Sequence, residues 1–82
     1  MDSKEIFDKV VEILKPFAKN EDALASIAME TSIMGDLEVN SARLVDIVLE
    51  IEDGFDIEVS DDDADKVQTV GDAVNLIVAA TG

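Results

Sequence analysis

Cysteine and histidine are both missing from this 82-residue chain. Without cysteine there is no disulfide, no thiolate ligand and no thiol nucleophile. Without histidine the commonest general base and metal ligand is gone. Aromatic residues make up only 4% of the sequence, so aliphatic side chains must build the core. No run of about 18 apolar residues occurs, which excludes a membrane-spanning helix. The opening Met1-Asp2-Ser3-Lys4-Glu5 mixes charges and lacks the apolar core of a signal peptide, so a cytoplasmic location is expected. Basic residues are scarce as well: 6 against 20 acidic, for a formal charge of −14. A surface so negative repels phosphate backbones and excludes ordinary nucleic-acid binding, while attracting basic patches on other proteins.

What remains is ample for folding. Hydrophobic residues form 48% of the chain, which argues against disorder despite the charge. At 8.8 kDa the expected organisation is one domain spanning residues 1–82. The charge is concentrated. Residues 36–65 hold 12 acidic residues and Arg43 as their single base, a net of −11, whereas residues 66–82 are neutral overall. The central third is either a solubilising face or a docking surface for basic partners.

Hydrophobic periodicity outlines an all-α architecture, a small bundle of three longer helices and one short helix with a long first loop. Residues 4–15 carry Ile6, Val10, Ile13 and Phe17 on one stripe, with Ser3 as N-cap and Pro16 as the stop. In the connection over residues 17–39, Asn20 is placed to cap a short helical turn, with Leu24, Ile27, Ile33, Met34 and Leu37 to pack it. The clearest helix spans 41–53, with Leu44, Ile47, Val48 and Ile51 inward and Val45 and Leu49 widening the face. Asn40 or Ser41 caps it, and Gly54 is the expected C′ residue. Phe55, Ile57 and Val59 alternate with acids but have no partner strand, which predicts an extended loop. Ser60 through Asp63, and Thr69 through Asp72, are capping boxes. The second opens a helix with Ala73, Val74, Ile77 and Val78 inward.

Three segments together resemble the acyl carrier protein family. They are Asp36-Leu37-Glu38-Val39-Asn40-Ser41, then Glu52-Asp53-Gly54-Phe55-Asp56-Ile57-Glu58-Val59, then Thr69-Val70-Gly71-Asp72-Ala73-Val74. The corresponding family pattern is D-L-G-x-D-S-L, an acidic helix ending in E-E-x-F-x-I, and T-V-G-D-A at the last helix. The likeness is close over residues 32–78 and loose over the first helix. It implies a carrier, not an enzyme. A phosphopantetheinyl transferase would attach 4′-phosphopantetheine from coenzyme A, with Mg²⁺, to the motif serine, here Ser41, flanked by Asn40. The arm's thiol would hold acyl groups as thioesters for partner enzymes of a fatty-acid, lipid or polyketide-type pathway. Partner docking would fall to Ala42, Arg43, Asp46, Leu49, Glu50, Glu52 and Asp53, facing basic patches. The carrier would be a monomer without a resident metal. Asp61-Asp62-Asp63 does not fit a calcium loop, because neither Asp53 nor Asp56 has glycine five residues on.

The sequence departs from the pattern at four places. Asn40 stands for the family's aspartate and removes a charge beside the serine. Ala42 stands for leucine and trims an apolar partner contact. Glu38 stands for glycine, where positive φ is harder to reach. Arg43 falls where an acid is common, with Asp46 at i+3 to pair with it. Together these imply a specialised member serving a dedicated pathway. Alternatively, Asn40 and Ala42 suit an unmodified, carrier-like acidic interaction module. An independent serine enzyme is excluded by the lack of a base to activate the hydroxyl.

Overall fold

The computed structural model describes residues 2–81; Met1 and Gly82 lie outside them. Five helices follow one another: α1 (Ser3–Leu14), α2 (Glu21–Ala25), α3 (Ser41–Phe55), α4 (Asp61–Asp65) and α5 (Val70–Thr81). The all-α expectation is met, with one more helix than the four expected. The addition is α2, in the first connection, where the Asn20 side chain accepts from the Ala23 amide at 3.2 Å. The only β pairing among the described residues is an isolated bridge between Ser32 and Thr69.

Helix α1 buries Ile6, Val10 and Leu14 and packs against α5 and α3. Its N-cap is Asp2, whose carboxylate accepts from the Glu5 amide at 2.9 Å, and not Ser3, which is the first helical residue. An ionised acceptor makes the stronger cap at the positive end of a helix. Helix α3 buries Ile47, Val48, Ile51 and Phe55. It runs through Gly54, so the expected stop at that glycine is corrected. The turn to left-handed backbone comes at Asp56, with φ 54°. Two contacts extend the helix. The Lys9 ammonium donates to the Gly54 carbonyl at 3.1 Å and lies 5.0 Å from the Phe55 ring centre. It thereby satisfies a late carbonyl that would otherwise face water. Phe55 itself is buried as a helical residue, and aspartate tolerates the left-handed position that follows.

Val45 and Leu49, expected to widen the buried face of α3, point outward at 64% and 57% exposure. The same holds for Val78, expected inward on α5. There Ile77 takes the buried place, and residues 78–81 are exposed. Asp56 to Val59 leaves the helix as a loop, as the lack of a partner strand predicts, whereas Phe55, expected in that loop, closes the helix instead. Its Val59 amide donates to the Glu52 carboxylate at 3.3 Å. Ser60 caps α4 through the Asp63 amide at 3.2 Å.

The first connection is fixed by its backbone, since short α2 buries little. The amides of Lys19 and Asn20 both donate to the Leu37 carbonyl, at 3.0 and 3.3 Å. Ile33 donates to Gln68, Val70 to Thr31, and Gly71 to Met29 at 2.7 Å. That last approach requires glycine: a Cβ on Gly71 would sit 2.9 Å from the Met29 oxygen. Ile33, Leu37 and Val39 drop into the core from this segment, while Met34 stays outside. No helix of the described residues is long and apolar enough to cross a membrane.

Thr69 and Asp72 form a reciprocal capping box. The Asp72 amide donates to Thr69 Oγ1 and the Thr69 amide to Asp72 Oδ2, each at 3.1 Å, and Gln68 donates to the same carboxylate. The amides of Gln68 and Thr69 hold the Asp72 carboxyl below its ordinary value of 3.8. A depressed carboxyl pKa stabilises the fold above the unfolded value and loses that contribution as pH falls through the folded one. Asp72→Asn keeps an oxygen acceptor but removes the charge, and is therefore expected to destabilise the protein by about 1 kcal/mol near pH 7. The gap between variant and parent should begin to narrow near pH 3.8 and close as pH falls through the lower folded value, in urea titrations at a series of pH values. A gap independent of pH would contradict the charged cap. By contrast, Gly54→Ala should stabilise. The added methyl meets only Ile13 Cδ1, at 3.7 Å. Glycine inside a helix costs about 0.5–1 kcal/mol relative to alanine, so the thermal midpoint should rise by several degrees. A fall would show that Gly54 is needed for its freedom.

Candidate functional site

The acidic face and the serine motif meet at the N-terminus of α3. Asn40 is the N-cap, with its Oδ1 accepting from the Ala42 amide at 2.9 Å and its carbonyl from the Arg43 amide at 2.8 Å. This commits the short polar side chain to the helix end and leaves Ser41 as the first helical residue, exposed to solvent. The backbone before it is tied inward: Val39 is buried and its amide donates to the Ile33 carbonyl at 3.2 Å. One residue earlier, Glu38 adopts φ 56°. Glutamate therefore takes the positive φ that is harder for a residue with Cβ to reach. The turn between buried Leu37 and buried Val39 imposes the conformation, at about 1–2 kcal/mol for a side chain bearing Cβ. The Glu38 side chain itself is exposed.

A regular helix brings residues four apart onto one face. Ser41, Val45 and Leu49 accordingly form an exposed line running away from the serine. Asp46, Glu50 and Asp53 make a neighbouring acidic line. The expected docking residues thus divide by environment. Ala42, Arg43, Leu49, Glu50 and Asp53 are exposed, and Asp46 is partly so. Glu52 is half-buried and accepts from the Val59 amide, so one carboxylate oxygen is engaged in holding the following loop. Val45 is the residue that periodicity missed. Its place four residues after Ser41 was the available signal, obscured because a valine beside Leu44 and Ile47 extends an apolar stripe in sequence.

The electrostatics are uneven. The last turn of α3 carries no basic residue, although Glu50, Glu52 and Asp53 crowd its C-terminal half. Near the N-terminus, Arg43 Nη1 pairs with Asp46 Oδ2 at 3.2 Å, both side chains well exposed. Such a pair is worth about 0.2–1 kcal/mol. A cleft of about 510 Å³ opens beside this end, between the segment after α1 and the start of α3, with Lys19, Asn40 and Arg43 among its walls. Among the described residues no group of three or more acidic side chains converges as a metal site. A free serine hydroxyl at a helix N-terminus, without a base beside it, is suited to carry a group and not to attack a substrate. An anionic ester there also lies at the positive end of the helix dipole.

Comparison with known proteins agrees with this geometry. Residues 8–77 match the family model described as phosphopantetheine attachment site. The chain is 40% identical over 83 residues to the acyl carrier protein of Lactobacillus acidophilus, covering all of both chains. It is 40% identical over 80 residues to that of Picosynechococcus, covering 98% of this chain and 96% of the relative. Its fold superposes on the solved acyl carrier protein of Enterococcus faecalis with a TM-score of 0.80 at 34% identity, covering 99% and 100% of the two chains. An exposed serine capped by Asn40, an acidic helix beneath it and full-length likeness in sequence and fold together place this chain in the acyl carrier protein family.

Proposed function

We propose that Ser41 is the residue of this carrier that bears 4′-phosphopantetheine. The observation that carries the assignment is its position: an exposed hydroxyl on the first residue of α3, with the Asn40 side chain holding the helix end. Such a place suits an attached phosphate, because the helix terminus offers a positive field and open space. When attached, the arm supplies a thiol for holding acyl groups as thioesters; the protein presents them and is not itself an enzyme. Its own residues contribute position and recognition. Buried Leu37 and Val39 fix the approach to the serine, and α3 displays Val45 and Leu49 between acids.

On this assignment a phosphopantetheinyl transferase loads Ser41 from coenzyme A with Mg²⁺. Acyl-transferring or acyl-modifying enzymes then bring their basic patches to Asp46, Glu50 and Asp53, with Ala42, Leu49 and the added Val45 as apolar contacts and Arg43 among them restricting which partners fit. Glu52 contributes charge and braces the loop. The protein works as one carrier domain over residues 1–82, monomeric and in the cytoplasm, in a fatty-acid, lipid or polyketide-type pathway. Co-expression with a promiscuous transferase should raise the intact mass by one phosphopantetheinyl group, and Ser41→Ala should abolish the gain. An unchanged parent mass would leave an unmodified acidic interaction module.

Arg43 and Ala42 further favour a dedicated pathway over general fatty-acid supply. A cation within a turn of the arm repels the basic patches that acidic carriers attract, and alanine offers less apolar contact than leucine. Expression of this chain in cells depleted of their general fatty-acid carrier should therefore restore growth poorly. Rescue equal to that by the native carrier would remove the case for specialisation.

A further inference from the structure

Of the six basic residues in this chain of formal charge −14, two line one cleft. Lys19 comes from the segment after α1 and Arg43 from the first turn of α3. Pro16, Phe17 and Ala18 supply an apolar side, and Asn40, adjacent to Ser41, completes the lining. The other cations are used differently or lie elsewhere. Lys9 serves the end of α3, and Lys15 pairs with Glu12. Among the described residues Lys19 is paired with no carboxylate, in spite of the surplus of acids.

The walls are also built rather than accidental. The Lys19 and Asn20 amides share the Leu37 carbonyl, three residues before Asn40, so the lysine-bearing segment is tied to the run that starts α3. Ala18 and Phe17 donate back to Leu14 at 2.9 and 3.0 Å, which fixes the apolar side against the end of α1. Arg43 spends one nitrogen on Asp46 and retains further N–H donors. Asn40 uses its oxygen for the helix cap, which leaves its amide nitrogen as a donor. The donor set is cationic and amide N–H beside apolar carbon. That is the complement of a phosphodiester followed by a branched, amide-containing chain.

We propose that this cleft is a resting site for the proximal part of the arm, with Lys19 and Arg43 holding its phosphodiester and Phe17 and Pro16 lying against its carbon chain. The inference rests on attachment at Ser41. It gives the Arg43 departure a second role, since the cation that discourages basic partners also restrains the arm. The restraint is weak and reversible, because both cations are exposed and screened by salt.

The test compares unmodified and modified protein by backbone amide NMR, with intact mass reporting modification separately. Conversion with coenzyme A and a transferase should move the amide resonances of Phe17, Ala18 and Lys19, which are remote in sequence from Ser41, as well as those of residues 40–43. Raising the salt to about 1 M, where the screening length falls to about 3 Å, should shrink the shifts at 17–19. Lys19→Glu, a surface change, should reduce them at Phe17 and Ala18 by more than half. Full mass gain with shifts confined to residues 40–43 would overturn the cleft while leaving the carrier assignment intact. Absence of any mass gain would overturn that assignment first and the cleft with it. If coenzyme A added to the Ser41→Ala protein moves residues 17–19 while modification of the parent does not, the cleft receives the donor and not the tethered arm, and the proposal fails.

Discussion

The main chain between α1 and α3 must find partners for its peptide groups without a long helix to supply them. Buried or half-buried backbone cannot be left unpaired. The solution is a set of stitches: Lys19 and Asn20 onto Leu37, Val39 onto Ile33, and Ile33, Val70 and Gly71 across the seam to the start of α5. These bonds decide where Val39 enters the core and hence where Asn40 and Ser41 emerge. The left-handed residue at Glu38 is part of the same constraint, because the chain must turn between two buried aliphatics. Strain at one peptide thus accompanies the presentation of one hydroxyl.

Helix α3 performs two tasks that compete for its surface. Its inner side supplies Ile47, Val48, Ile51 and Phe55 to the core, while its outer side keeps Val45 and Leu49 in water. Exposing two branched aliphatics gives up burial energy, on the order of 1.5–3 kcal/mol for each fully buried side chain. A chain selected only for stability would place them inside or replace them. Their exposure in line with Ser41, beside carboxylates, is what the proposed docking of basic partners would use.

The elements with strong local signals were legible in the sequence. The N-caps at Asn20, Asn40 and Ser60 and the reciprocal box of Thr69 and Asp72 form as their side-chain chemistry predicts. The Arg43–Asp46 pair follows from spacing alone. What escaped depended on distant parts of the chain. Gly54 reads as a stop until Lys9, 45 positions away, reaches its carbonyl. Val45 reads as core until packing shows that Ile47, Val48, Ile51 and Phe55 form the inner side of α3. Glu38 reads as reluctant to take positive φ because sequence shows a residue's preference and not the force that overrides it. The three motif segments were recognisable partly for packing reasons: Gly71 is required by the Met29 carbonyl, whatever cargo the protein bears.

The crowding of Glu50, Glu52 and Asp53 toward the negative end of α3 has a mechanical consequence. Like charges and an unfavourable dipole both loosen the last turns of this helix, and Lys9 offsets only part of that. A cationic surface approaching from solvent would relieve the repulsion as it forms its own contacts, so that arrival of a partner stiffens α3. Recognition and rigidity would thereby be coupled: Lys9 and buried Phe55 anchor the far end of the helix from the inside, and a docked cationic surface would supply the support its outer, acidic side lacks.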